Sequence, residues 1–246
     1  MAEPAAAPLE RRHVVAVLLA ERGEMLVVSG LGSSSWDCAA AGDSPLNFYL
    51  WGAMGSAVTV GLGLSLARPE RRVLVVTGDG EVLMALGALA TVAAQAPANL
   101  AIVVIDNERY GETGMQPTHT AYGVDLPGVA AAAGFAESRE VRDEAGLAEA
   151  ARLVREAPGP VFVSVKVAPV REPLVLPIRD GVELKNRFRK ALLGARAFEY
   201  AGAGGAILEW IVCRRASGEV HSGTEREAER WRRRLTRCCS RWRPCG

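Results

Sequence analysis

VLVVTGDGEVLMALGALATVAAQAPANLAIVVIDNERYGETG runs from Val73 to Gly114. Val73–Val76 and Ala101–Ile105 are short, β-branched and free of polar alternation, the pattern of strands buried on both faces of a parallel sheet. Between them, Glu81–Gln95 is rich in Ala, Leu and Met and predicts a crossover helix. Parallel strands joined in this way are expected to be neighbours roughly 5 Å apart, with their C-terminal ends on one edge. Asp79 and Asn107, each just past the end of an apolar run, then meet at the edge where open α/β sheets take ligands. A carboxylate, an amide oxygen and nearby loop carbonyls form a hard oxygen set suited to Mg²⁺. Gly78 and Gly80 leave room for the backbone, and the helix opening at Glu81 and Val82 offers free N–H groups to phosphate. The chemistry expected is a metal and a diphosphate held together.

Gly78-Asp79-Gly80 with Asn107 at this distance resembles the thiamin-diphosphate signature of 2-oxoacid decarboxylases and acetolactate-synthase-like enzymes. Gly-Asp-Gly alone also describes a plain strand-to-helix turn. The full spacing, the flanking strands and a second match upstream favour the site. The resemblance implies that Asp79 and Asn107 give side-chain oxygens to Mg²⁺ and that Arg109 gives its backbone carbonyl. The family often has Asn-Asn where this chain has Asp106-Asn107, and the second position is the ligand. Tyr110 is placed beside them in the cofactor site.

The second match is Asn47-Phe48-Tyr49-Leu50-Trp51-Gly52-Ala53-Met54-Gly55, ahead of a small-residue helix. In the family such a segment lies against the cofactor. Met54 is thereby expected to wedge between the two thiamin rings and to enforce their bent shape, and the Gly52 carbonyl to accept from the pyrimidine amino group. Methionine is adaptable and polarizable against aromatic rings, and glycine allows close approach. The competing reading of Met54 is simple helix packing.

The run from Asn107 to Thr120, with Leu86–Thr91, is similar to segments of phosphonopyruvate decarboxylase and of the sulfopyruvate decarboxylase beta subunit. Glu108, Arg109, Tyr110 and Glu112 depart from the small residues expected there and leave the substrate open. The resemblance implies a thiamin-diphosphate-dependent carboxy-lyase subunit acting on a small 2-oxoacid. Its active site would be completed by a separate pyrimidine-side, alpha-type subunit that carries the activating glutamate, in a hetro-oligomer inactive without that partner. The alternatives are a subunit of a carboligase or acyl-transferring thiamin enzyme, and a non-catalytic thiamin-diphosphate-binding protein. His119 is the one histidine near the proposed site and is either a catalytic proton donor or a loop residue bonded to backbone.

Alternating strands and helices over residues 10–194 predict one α/β domain, a three-layer sandwich with a mainly parallel sheet and helices on both faces. The expected elements outside the Val73–Gly114 stretch are helices at 10–21, 33–41 (capped by Ser33 or Ser34), 56–67, 126–133, 144–155 and 179–193, and strands at 25–29, 136–139 and 161–167. Gly30-Leu31-Gly32 could open a dinucleotide fingerprint, but Ser35 stands where the third glycine belongs. Residues 1–9 are Ala/Pro-rich and predict a disordered leader. Residues 195–246 hold four of the five cysteines and three of the five tryptophans, with no lysine and no aspartate. That composition is expected of a non-native or disordered tail, and its cysteines lack the paired spacing of a zinc site. A net charge of +1 argues against nucleic acid as a partner, and the absence of a long apolar run argues against a membrane span. Cys38, the one core cysteine, is expected to pack, and the lack of a disulfide pattern favours the cytoplasm.

Overall fold

The computed structural model describes residues 8–198. The expectations placed on residues 1–7 and on the tail beyond Phe198 lie outside that range. The chain begins with α1 (Arg11–Leu19), β1 (Leu26–Ser29), α2 (Ser33–Ala40), β2 (Asn47–Tyr49), α3 (Ala57–Ala67) and β3 (Val73–Gly78). It continues through α4 (Asp79–Met84), α5 (Gly87–Gln95), β4 (Leu100–Asp106) and a short antiparallel pair, β5 (Arg109–Tyr110) and β6 (Gln116–Pro117). A 3₁₀ turn at His119–Tyr122 leads to α6 (Leu126–Ala133), β7 (Glu137–Val141), α7 (Glu144–Glu156), β8 (Val161–Lys166) and α8 (Gly181–Leu193).

Six strands form one sheet in the order β2-β1-β3-β4-β8-β7, and every pairing in it is parallel. β4 is buried along its whole length, as its apolar run from Leu100 to Ile105 requires, and Asp106 closes it as a buried carboxylate. Alternate residues feed two cores. Val27, Leu74, Val76, Val103 and Val163 face α1, α2 and α7 through Val14, Leu18, Cys38 and Leu147. Val28, Val73, Val75, Ile102 and Phe162 face α3, α5 and α6 through Val58, Leu62, Leu89, Val92 and Ala130. The three-layer α/β sandwich follows. Asp125, Asp143 and Asp180 cap α6, α7 and α8 by accepting backbone N–H groups of the first turn, for example Gly146 N at 2.8 Å from Asp143.

Four local expectations change. The crossover is not one helix: it breaks at Ala85 (φ −127°, ψ 40°), and α4 already begins at Asp79. Gly87 is a poor helix former. The break also lies against Gly55, where a Cβ would come within 3.1 Å of the Ala85 Cβ. Neither Ser33 nor Ser34 caps α2; its N-cap is Gly32 at φ +69°. Asn47–Tyr49, given no strand in the sequence-based expectation and read only as the start of a cofactor-facing segment, is an edge strand of the sheet. Leu9, assigned to the leader, is 4% exposed and pairs with Val167, and past Gly194 a 3₁₀ turn reaches Phe198 with Ala197 buried.

The strand order reverses direction between β1 and β3: the chain leaves β1 for β2 on one side and returns to β3 on the other. Such a switch point opens a crevice above the C-terminal ends of the strands.

Candidate active site

A cavity of about 490 Å³ occupies that crevice. The turn after β3 lines it with Gly78, Asp79, Gly80 and Glu81, and the segment after β4 lines it with Asn107, Arg109, Tyr110 and Glu112. Register explains why these meet. Gly78 pairs with Ile105, so the next residues of both strands emerge together from the sheet edge. The loop after β1 adds Leu31, Ser33 and Ser34, and the loop after β2 adds Met54. Asp79, Asn107, Arg109, Tyr110, Gly78, Gly80, Glu81 and Met54 thus share one cavity. Gly52, Val82 and His119 do not line it. Gly52 is exposed, Val82 is buried in the core under α4, and His119 is exposed on the 3₁₀ turn.

Asp79 is 2% exposed and lies in the first turn of α4, where a carboxylate is favoured by the helix dipole. Its Oδ2 accepts from the Thr118 hydroxyl, and Thr120 Oγ1 stands 3.2 Å from the same oxygen. Thr120 donates to Asp106 Oδ1 at 2.8 Å, and Asp106 Oδ2 meets Lys166 Nζ at 2.9 Å. Lys166 also bonds Glu108 Oε1 at 2.8 Å. Burial, with a further push from Asp106, raises the Asp79 pKa to about 6. An acid held in so dry a site is stabilised as the carboxylate by a cation placed against it. Asn107 Oδ1 accepts Arg109 N at 2.9 Å, an Asx turn that holds the amide oxygen at the sheet edge.

The donor set therefore fits a hard divalent cation: one desolvated carboxylate, one oriented amide oxygen and the carbonyls of a tight loop. Among the described residues, no group of three His, Cys, Asp or Glu side chains offers a competing metal site. Gly80 also fits its place, since a Cβ there would sit 2.4 Å from the Tyr110 ring. Cys38 is fully buried and its thiol pKa is pushed up to about 12 by burial, so it packs and takes no part in chemistry.

Sequence reading missed the threonine pair that braces Asp79 and the lysine that pairs with its neighbour Asp106. Thr118 and Thr120 flank His119, and their spacing of two carried the signal. Lys166 becomes visible once β8 is set beside β4, where it is the register partner of Asp106. The strap after β8, which brings Val170, Arg171, Glu172 and Leu174 to the cavity, had no sequence signal.

The six-stranded parallel sheet with helices on both faces has a counterpart among solved structures. The solved benzoylformate decarboxylase from Polynucleobacter necessarius shares this fold with a TM-score of 0.58 at 22% identity, over 71% of this chain and 36% of that one. The sequence pattern described as thiamine pyrophosphate enzyme, C-terminal TPP binding domain, matches residues 31–165, and the chain belongs to that family. The sulfopyruvate decarboxylase subunit beta of Methanothermobacter thermautotrophicus is 40% identical over 187 residues, which cover 76% of this chain and 97% of that subunit. The phosphonopyruvate decarboxylase of Streptomyces viridochromogenes is 43% identical over 168 residues, 66% of this chain and 41% of that enzyme. Among the described residues, no helix is long and apolar enough to cross a membrane.

Proposed function

We propose that this chain is the diphosphate-binding, beta-type subunit of a thiamin-diphosphate-dependent 2-oxoacid decarboxylase of the sulfopyruvate/phosphonopyruvate type. The observation that carries the reading is the juxtaposition of Asp79 and Asn107 above adjacent strands, inside the family match. In this reading Asp79, Asn107 and the Arg109 carbonyl hold Mg²⁺, and the metal with the turn at Gly78–Val82 anchors the diphosphate. Thiamin diphosphate supplies, when bound, the nucleophilic carbon and the electron sink for the pair released with CO₂. The residues of this chain bind and orient. Met54 presses on the ring half of the cofactor, Gly52 offers its carbonyl there, and Tyr110 walls the cleft beside Gly80. His119 is exposed on its turn and does not line the cavity.

The match to 97% of a protein that is itself named a beta subunit supports a separate pyrimidine-side partner and a hetero-oligomer. The free, buried Cys38 supports a cytoplasmic setting. Calorimetry on the purified chain tests the reading. Mg²⁺-dependent binding of thiamin diphosphate is expected, and Asp79→Ala is expected to abolish it, with a loss of at least about 100-fold because the charged ligand is gone. Unchanged affinity in Asp79→Ala refutes the site. With the partner subunit added, free aldehyde rather than an acetoin-type product is the expected outcome for a decarboxylase.

A further inference from the structure

The Glu81 backbone N–H belongs to the turn proposed to anchor a diphosphate, but its buried side-chain carboxylate is not needed there, and Glu81→Gln leaves that N–H in place. Glu81 is 4% exposed, yet it forms no ion pair with any of the described residues. Its two oxygens instead gather three segments. Oε2 accepts the Thr77 hydroxyl of β3 at 2.8 Å and the Leu31 backbone N–H, in the loop after β1, at 3.2 Å. Oε1 accepts the Gly55 backbone N–H, in the loop after β2, at 3.2 Å. The chain is shaped around this carboxylate. A Cβ on Gly30 would fall 1.8 Å from Oε2. Gly55 takes φ +94° to turn its N–H inward, a conformation that strains any side chain. Burial raises the Glu81 pKa, so the arrangement costs stability that an apolar side chain would not.

We propose that the Glu81 carboxylate is a positioning residue: by holding Gly55 N–H, it sets the height of Met54 over the cleft relative to the Asp79-Gly80 turn. The inference rests on the cofactor reading above and adds a division of labour to it. Met54 is bonded in sequence to Gly55, and Ala53 on its other side stands at φ +56°. The wedge therefore sits on a strained loop tied down at its inner end by one hydrogen bond to Glu81. The loops carrying Leu31, Met54 and Asp79 all line the cavity, and Glu81 is the side chain common to them.

Glutamine in this position keeps the shape and loses one acceptor. Its single oxygen can serve the Thr77 and Leu31 side or the Gly55 side, and its amide then faces an N–H on the other. The test compares the full-length chain with Glu81→Gln by two measurements. Hydrogen exchange followed by mass spectrometry reads the Gly55 amide. Calorimetry in Mg²⁺ reads inorganic pyrophosphate and thiamin diphosphate separately. The wild-type Gly55 amide is expected to exchange at least about tenfold more slowly than those of Gly52 and Ala53, as a buried bond to a carboxylate requires. Glu81→Gln is expected to accelerate that exchange, to weaken thiamin diphosphate by roughly tenfold or more, and to leave pyrophosphate within about twofold.

Equal losses for both ligands place Glu81 in diphosphate anchoring and overturn the proposal, as does an unchanged affinity for thiamin diphosphate. A wild-type Gly55 amide that exchanges like Gly52 overturns it without any variant, and this arm decides the matter if Glu81→Gln does not fold. Failure of the wild-type chain to bind either ligand sinks the cofactor reading instead, and the exchange of Gly55 then still reports whether Glu81 holds the loop.

Discussion

The two halves of the cleft are built by different means. The half proposed to hold the metal hangs from β3 and β4, central strands with six residue pairs in register; Asp79 is braced further by Thr118 and Thr120, and Thr120 and Lys166 hold the neighbouring Asp106. The ring half hangs from β2, a three-residue edge strand, followed by a loop with positive φ at Ala53 and Gly55. Core strands cannot shift without unpacking both hydrophobic layers, so Asp79 and Asn107, the proposed metal ligands, inherit the precision of the fold. The Met54 loop has no such backing and depends on particular hydrogen bonds. One end of the site is thus held by the sheet, the other by a few hydrogen bonds, those of Trp51 to Ile178 O, Ser56 to Ala53 O and Gly55 N to Glu81 among them.

Substitutions separate the halves. Asn107→Ala should weaken Mg²⁺-dependent binding of both pyrophosphate and thiamin diphosphate by about 10- to 100-fold, read by calorimetry, because an oriented oxygen ligand is lost. Met54→Ala should leave pyrophosphate binding intact while turnover of the complete complex falls by about tenfold or more, since ring geometry is no longer enforced. If Met54→Ala weakened pyrophosphate as much as Asn107→Ala does, the two halves would not be independent. Among the described residues, Lys166 is the cation that faces Asp106, and Lys166→Met should cost about 1–3 kcal/mol in urea unfolding by leaving a buried carboxylate unpaired.

A pH experiment isolates the metal half. The Asp79 pKa, raised to about 6 by burial, lies above its ordinary value of 3.8. The folded state therefore binds the proton more tightly than the unfolded chain, and in metal-free protein this contribution to stability is lost as pH rises from about 4 through 6. Metal-free Asp79→Asn should match the wild type near pH 4 and exceed it by about 1–3 kcal/mol at pH 7.5. Saturating Mg²⁺ should narrow the gap by stabilising the wild type alone. The smallest effect is expected at Arg109, which the reading assigns a role through its carbonyl. Arg109→Ala should leave Mg²⁺ affinity within about twofold, and a larger loss would mean that the guanidinium itself contacts the diphosphate.

Most of the fold was legible because buried parallel strands announce themselves as unbroken β-branched runs. Val73–Val76, Ala101–Ile105 and Val161–Val167 all became central strands, each shifted by a residue or two. β2 was not legible: Asn47-Phe48-Tyr49 is short, mixed in polarity and lies at the sheet edge, where pairing rather than pattern makes a strand. The kink at Ala85 was hidden for a related reason. Ala, Leu and Met favour helix throughout 81–95, and the break at Ala85 lies beside Gly55, where a Cβ would come within 3.1 Å of the Ala85 Cβ.

The sequence by itself determined the class of the protein and the meeting of Asp79 with Asn107. A strand–helix–strand crossover brings its two loop starts to one edge whatever surrounds it. Tertiary structure alone decided what lies around that pair: the Thr118–Thr120 brace, the Asp106–Lys166 contact, the strap bearing Arg171 and Glu172, and the two loops and strand tied to Glu81. Those contacts join segments far apart in the chain, and their partners are polar side chains whose identity carries no periodic signal. Local sequence dictates where a strand ends. Which hydroxyl or backbone N–H stands opposite a buried carboxylate depends on how the separate loops pack.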